Sequence, residues 1–148
     1  MNMNRLFAVV NPLVVSLAGS FAHWLISLQV MVLDVTGRRS GRTYRIPVSY
    51  LRSDGDVLCM TSRDGLWWRN LSKDVPVHIT IAGSVLAASV TVVSDDDDAI
   101  AEALGLFCMR SRISAYFAGV GFDDDGKPRR SDLYRSAQQQ VLIRLAPH

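Results

Sequence analysis

The sequence predicts an α+β domain built on a small antiparallel β-barrel of about six strands, with helices before and after it. Three observations carry that expectation. Short runs rich in Val, Ile, Leu and Thr recur between Gln29 and Val93, separated by Gly-containing turns. Helical periodicity is concentrated towards the two ends of the chain. The chain has 148 residues, 49% of them hydrophobic, which makes one domain able to bury a core without disulfides or metals. Closing short antiparallel strands into a barrel removes their exposed edges.

From Leu6 to Leu33 there is no formal charge. Two membrane readings compete there: a signal peptide, with Arg5 before an apolar run and small residues at Ala18–Ala22, and a spanning helix. Asn11, Pro12, Ser16, Gly19, Ser20, His23, Ser27 and Gln29 interrupt the run and weigh against both. The preferred reading is two short helices, soluble or lying on a surface. Asn11 caps the first, with Pro12 at its first position, and Gly19-Ser20 ends it. The second covers about Ala22–Ser27. Leu13, Leu17 and Phe21 fall at helical spacing, as do Trp24, Leu25 and Leu28. These faces leave room for a peripheral membrane contact.

Strands follow at Gln29–Asp34, Thr43–Leu51 and Val57–Thr61, with Pro47 marking an edge or bulge in the second. Ser53-Asp54-Gly55-Asp56 is a hairpin turn. Leu66–Leu71 reads as one or two helical turns. Val77–Ala82 and Val85–Val93 form a second hairpin about Ala82-Gly83-Ser84. Ser94 is expected to cap a helix, with Asp95–Asp98 at its positive end and Ile100, Ala103, Leu104 and Phe107 on its apolar face. Arg112–Ala118 is a further short helix, and Asp123–Gly126 a turn. Ser131 is expected to cap a helix running to about Gln139. Val141–Leu145 is the last strand and should close the barrel by pairing with an earlier one. The single domain thus divides into a helical segment over 1–28, barrel strands over 29–93, and helices with a closing strand over 94–148.

Composition excludes several functions. A net charge of only +2 argues against a dedicated nucleic-acid binder. Cys59 and Cys108 lie outside any CxxC, and His23, His78 and His148 show no metal spacing, so no zinc site is expected. Both thiols read as reduced core residues of a cytoplasmic protein. The Asp95–Asp98 run is helix-start charge. Asp123–Gly126 lacks the ligand pattern of a calcium loop. No Ser-His-Asp set or catalytic carboxylate pair is present.

Two segments stand out. In Thr36-Gly37-Arg38-Arg39-Ser40-Gly41-Arg42, two glycines let the backbone turn tightly, Ser40 adds a hydroxyl and three Arg supply charge. That combination suits an anion, most naturally a phosphate. Residues 38–69 hold seven Arg against Asp54, Asp56 and Asp64. A hairpin with a solvated basic tip accounts for the same residues, and spacing alone does not separate the two. The Gly-Lys-Ser/Thr ending of a Walker loop is absent. In Thr61–Leu71, the adjacent Trp67 and Trp68 can wall a planar ligand. Neighbours on a helix diverge by about 100°, so one of the two is expected in the core.

These segments together resemble the F420H2-dependent nitroreductase/quinone reductase family of deazaflavin-dependent split β-barrel proteins. The matching residues are Val35-Thr36-Gly37-Arg38-Arg39-Ser40-Gly41, then Arg45-Ile46-Pro47-Val48, Ser62-Arg63 and Trp67-Trp68-Arg69-Asn70-Leu71. The resemblance implies a split barrel and coenzyme F420, with FMN a lesser alternative. It implies that Arg38, Arg39, Ser40 and Gly41 hold the phosphate of the deazaflavin tail, a role that Arg42 beside them could share. Arg45, Pro47, Ser62, Arg63, Trp67 and Trp68 would complete the cofactor site. Two departures stand out: Tyr44 replaces a basic residue frequent in the family, and Trp68 replaces a frequent Tyr. The implied activity is hydride transfer from reduced F420 to a small electron-poor acceptor such as a quinone, enone or nitro compound. No catalytic side chain is named. A different class, a non-catalytic split-barrel binder of flavin, deazaflavin, haem or lipid, is the alternative. A homodimer is compatible with either.

Overall fold

The computed structural model describes residues 30–148. The helices expected over residues 1–28 lie outside the described residues. The strands are β1 (Val30–Thr36), β2 (Thr43–Ser49), β3 (Leu51–Ser53), β4 (Asp56–Ser62), β5 (Val77–Ile81), β6 (Ser84–Val93) and β7 (Gln140–Pro147). A 3-10 helix covers Trp67–Asn70, and three α-helices follow: α1 (Asp97–Arg110), α2 (Arg112–Ala118) and α3 (Arg130–Ala137).

Among the described residues the seven strands form one antiparallel sheet in the order β2-β1-β5-β6-β7-β4-β3. Its two outermost strands, β2 and β3, are consecutive in the chain and separated only by Tyr50. A chain that leaves one edge and enters the other across a single residue must roll the sheet upon itself. No backbone ladder joins these two edges among the described residues, so the barrel is split there. The expected single strand over Thr43–Leu51 is therefore corrected to two, which raises the count from about six to seven. Tyr50 turns inward at the corner and is itself buried. Pro47 sits within β2 opposite Val32, on the outermost strand, where a missing N–H does least harm.

Alternation along the strands sorts the core. Met31, Leu33 and Val35 of β1, Ile46 of β2, Val57 and Cys59 of β4, and Ile143 and Leu145 of β7 converge inside the barrel. Each large aliphatic side chain so buried contributes about 1.5–3 kcal/mol. Leu51, Leu58 and Leu142 face outward and meet Ile100, Ala103 and Phe107 of α1 and Ala137 of α3. Strand β7 pairs on both sides, Leu145 with Val57 on β4 and with Val90 on β6, so the expected closing strand lies inside the sheet.

Both hairpin turns obey backbone chemistry. Asp54 and Gly55 have φ of 52° and 85°, the type I′ pattern that Asp-Gly predicts. Ala82 and Gly83 repeat it with φ of 49° and 83°.

The helix starts differ from expectation. The cap of α1 is Asp96, not Ser94: its Oδ1 accepts the Ala99 amide proton at 3.0 Å. Any of four successive Asp can cap. The outward face of the sheet selects the register that buries Ile100, Ala103, Leu104 and Phe107. α3 begins after Arg129 rather than at a Ser131 cap. Asp132 supplies the first-turn carboxylate there, and its Oδ2 accepts the Gly121 amide proton at 2.9 Å. Among the described residues no helix is long and apolar enough to cross a membrane.

Candidate functional site

The basic turn closes β1 onto β2. Gly37 N–H donates to the Arg42 carbonyl at 2.8 Å, and Gly41 N–H donates to the Gly37 carbonyl at 2.9 Å. Gly41 has φ of 68°, which favours glycine. Gly37 suits the turn for a different reason: a Cβ there would lie 2.7 Å from Ser40 Oγ and 3.3 Å from the Tyr44 ring, so the Ser40 hydroxyl would have to move. Ser40 Oγ accepts the Arg42 amide proton at 3.3 Å and lies 3.4 Å from the Tyr44 hydroxyl. The Arg38 amide is taken by the side-chain oxygen of Asn70 at 3.0 Å. Among the described residues, the amides of Arg39 and Ser40 have no acceptor, and no carboxylate pairs with Arg38, Arg39 or Arg42. Three solvent-facing guanidiniums and two open amides at a tight loop are donors of the kind an anion takes.

Arg45 is engaged differently. Its Nε lies 3.4 Å from Asp34 Oδ1, directly across the β1–β2 ladder. Asp34 in turn is the register partner of His78 on β5.

The tryptophan segment begins at a sharp corner after β4. Ser62 Oγ accepts the Asp64 amide proton at 3.3 Å, and Gly65 N–H donates to the Ser62 carbonyl at 3.0 Å. Trp67 is buried in the barrel core, so the expectation that one of the pair packs inside holds. Trp68 is half-buried; its indole N–H donates to the Arg63 carbonyl at 3.3 Å, and Arg69 lies 5.1 Å over its ring. Arg63 faces main chain. Its Nε donates to the Gln138 carbonyl at 3.1 Å, and its Nη2 donates to those of Ser94 at 2.6 Å and Gln140 at 3.3 Å. It ties the end of β4 to the start of β7 and the end of β6.

Two concavities flank these elements. A groove of about 540 Å³ runs between Gly37, Arg38 and Thr43 of the basic turn, Asn70 and Leu71 after the 3-10 helix, and Val75–His78, with Asp34 and Thr36 of β1. A smaller hollow of about 290 Å³ lies among Ser49, Met60, Gln140, Phe107, Ser114 and Phe117. Gln140 is the register partner of Ser62.

The structure thus joins Arg38 to the groove and keeps Arg39, Ser40, Gly41 and Arg42 in the same loop. Pro47, Ser62, Arg63, Trp67 and Trp68 lie elsewhere on the barrel and are not part of the groove wall. Asn70, Gln140 and Phe117 were not among the expected site residues; only Asn70 carried a signal, as part of the Trp-Trp-Arg-Asn-Leu run.

Burial pushes the Cys59 thiol up to about 12 and the Cys108 thiol up to about 11, so neither supplies a thiolate near neutrality. Among the described residues no three His, Cys, Asp or Glu are grouped to hold a metal ion.

The sequence profile of the F420H(2)-dependent quinone reductase family matches residues 9–106. No curated protein matches the sequence. Several solved structures share the fold. A conserved hypothetical protein of Mycobacterium tuberculosis aligns at 15% identity with TM-score 0.61, covering 100% of this chain and 81% of its own. The heme storage protein HutZ of Vibrio cholerae aligns at 14% identity with TM-score 0.56, covering 89% of this chain and 90% of its own. A pyridoxamine 5′-phosphate oxidase-related, FMN-binding protein of Nostoc punctiforme aligns at 15% identity with TM-score 0.53, covering 88% of this chain and 80% of its own.

Proposed function

This chain belongs to the F420H(2)-dependent quinone reductase family, and on that premise we propose that it is a reductase using deazaflavin to reduce a small electron-poor acceptor, a quinone, enone or nitro compound. The single observation that carries this reading is the basic turn of residues 37–42, with its unpaired guanidiniums beside a groove of ligand size.

The residues fit the phosphate-bearing part of such a cofactor. Arg38, Arg39 and Arg42 supply charge and planar donors that phosphate oxygens take, and the open amides of Arg39 and Ser40 add two donors. Gly37 keeps the loop narrow, because any Cβ there meets Ser40. Pro47, Ser62 and Trp68 are proposed to border the ring, with Arg63 holding the Ser62 corner through three carbonyls. When bound, reduced deazaflavin supplies the hydride. The chain's own work is anchoring and orientation, and remote anchoring at the Arg turn positions the reacting end. An apolar acceptor would rest against Met60, Phe107 and Phe117 in the smaller hollow. None of the described residues lining that hollow is ionisable, and we assign the accompanying proton to water.

The test is direct. Reduced deazaflavin is mixed with the protein and a panel of quinones, enones and nitro compounds, and the return of oxidised-cofactor absorbance is followed. Acceleration over the protein-free rate with at least one acceptor supports the reading. Tight deazaflavin binding without acceleration by any acceptor moves the chain to the second reading, a non-catalytic binder. That reading draws support from fold relatives described as heme-storing and FMN-binding, and copurification of haem or FMN would favour it.

A further inference from the structure

The two most distinctive sequence runs, Thr36–Arg42 and Trp67–Leu71, are joined by one side chain. Asn70 Oδ1 accepts the Arg38 amide proton at 3.0 Å, and Asn70 Nδ2 donates to the Trp67 carbonyl at 3.1 Å. Both ends of the amide are thereby used, one on the basic turn and one on the 3-10 helix. From the geometry we infer that Asn70 is the positioning residue of the anion site: it holds the Arg38 main chain against the Trp helix so that the turn presents its guanidiniums and open amides in one arrangement.

The loop's other ties explain why one bond matters. Gly37 and Gly41 bond within the turn, and Arg42 bonds to Ser40. These contacts shape the loop but do not anchor it to anything outside β1 and β2. Among the hydrogen bonds of the described turn residues 37–42, the one from Arg38 to Asn70 reaches outside the β1–β2 hairpin, across 32 positions of sequence. Arg38 and Asn70 also both line the groove, so the bond lies in its wall. Trp67, the other partner, is fixed in the barrel core, which makes the tether rigid at its far end. A preset loop binds without first losing conformational freedom, and that is where the affinity gain arises. The inference rests on the proposed reading that this turn holds the phosphate of the deazaflavin cofactor.

The test compares two probes: oxidised F420, and the deazaflavin riboside that lacks the phosphate tail. Both are titrated by fluorescence quenching into wild type, Asn70→Ala and Asn70→Ser, with thermal unfolding run alongside. Serine keeps a hydroxyl but is one atom too short to span to the Arg38 amide, and it is read alone if the alanine variant does not fold. The expected result is a threefold to tenfold weaker F420 affinity, on the order of one lost hydrogen bond, with riboside affinity unchanged. A purely structural role would weaken both probes together, and that outcome overturns the inference. Unchanged F420 affinity in the folded variants overturns it as well. If instead wild type itself binds the two probes equally, or binds neither, the phosphate assignment of the turn fails, and the inference about Asn70 falls with it.

Discussion

Arg63 places its Nη2 2.6 Å from the main-chain carbonyl of Ser94, a residue 31 positions away, at the end of β6. The same guanidinium serves Gln138 and Gln140, so one side chain satisfies three carbonyls where β4, β6 and β7 finish or begin. A charged donor shared this way is a structural clamp, and its removal leaves part-buried acceptors without partners. Arg63→Met should lower unfolding free energy by about 2–4 kcal/mol. Urea denaturation is the check; a loss no larger than that of Arg39→Ala would show that the clamp contributes nothing.

Gly37→Ala is expected to deform the basic turn. The new methyl would fall 2.7 Å from Ser40 Oγ, closer than packed atoms sit. Stability should drop by about 1–3 kcal/mol, as for other overpacked sites. Deazaflavin affinity should fall with it, because the loop is both the strained element and the proposed anchor. Equal stability and affinity in the variant would mean that the loop absorbs a Cβ freely.

Ala82 offers the opposite change. It holds φ of 49° at the first central position of the β5–β6 hairpin, beside Gly83 at 83°. Left-handed backbone costs an ordinary residue about 1–2 kcal/mol, and Asn tolerates it better. Ala82→Asn should therefore raise stability by about 0.5–1 kcal/mol. A lowered urea midpoint would contradict this.

How much of this was legible in the sequence depends on distance along the chain. Asp54-Gly55 announced its turn because the determinant is two adjacent residues. The inward set of β1, Met31, Leu33 and Val35, follows from simple alternation. The corner at Tyr50 did not show, because Ile46–Leu51 is apolar but for Ser49 and carries no Gly or Asn turn signal at the break, so only three-dimensional closure demands it. The clamp at Arg63 and the tether at Asn70 join residues 31 or more positions apart. Local spacing holds no record of such pairs, so neither the clamp nor the tether shows in the sequence. The cap at Asp96 was hidden among equivalent neighbours.

Asp132 makes the acid limb of stability testable. The Gly121 amide hydrogen bond is the main reason its carboxyl titrates below the ordinary aspartate value of 3.8, with Arg135 and Arg129 adding to it. A carboxylate whose folded value is lowered contributes stability that is fully present above the unfolded value. That contribution is lost as pH falls through the lower folded one. Wild type should therefore lose stability as pH falls below about 4, and Asp132→Asn should lose less over the same interval. Parallel curves for the two proteins would remove Asp132 from the account.

A fluorescence-quench titration of oxidised F420 into wild type and the Arg38→Ala, Arg39→Ala and Arg42→Ala variants, at low and high salt, decides whether the basic turn holds the cofactor phosphate. If the turn holds the phosphate, wild type binds most tightly, and Arg39→Ala weakens binding by about 1–3 kcal/mol. Salt should then weaken wild type more than the variants, because part of the exposed attraction is screened. Folding of the variants should barely change, since exposed Arg side chains contribute little to stability. Four proteins that bind F420 equally well, or none that binds it at all, would contradict the account and leave the turn a solvated basic hairpin.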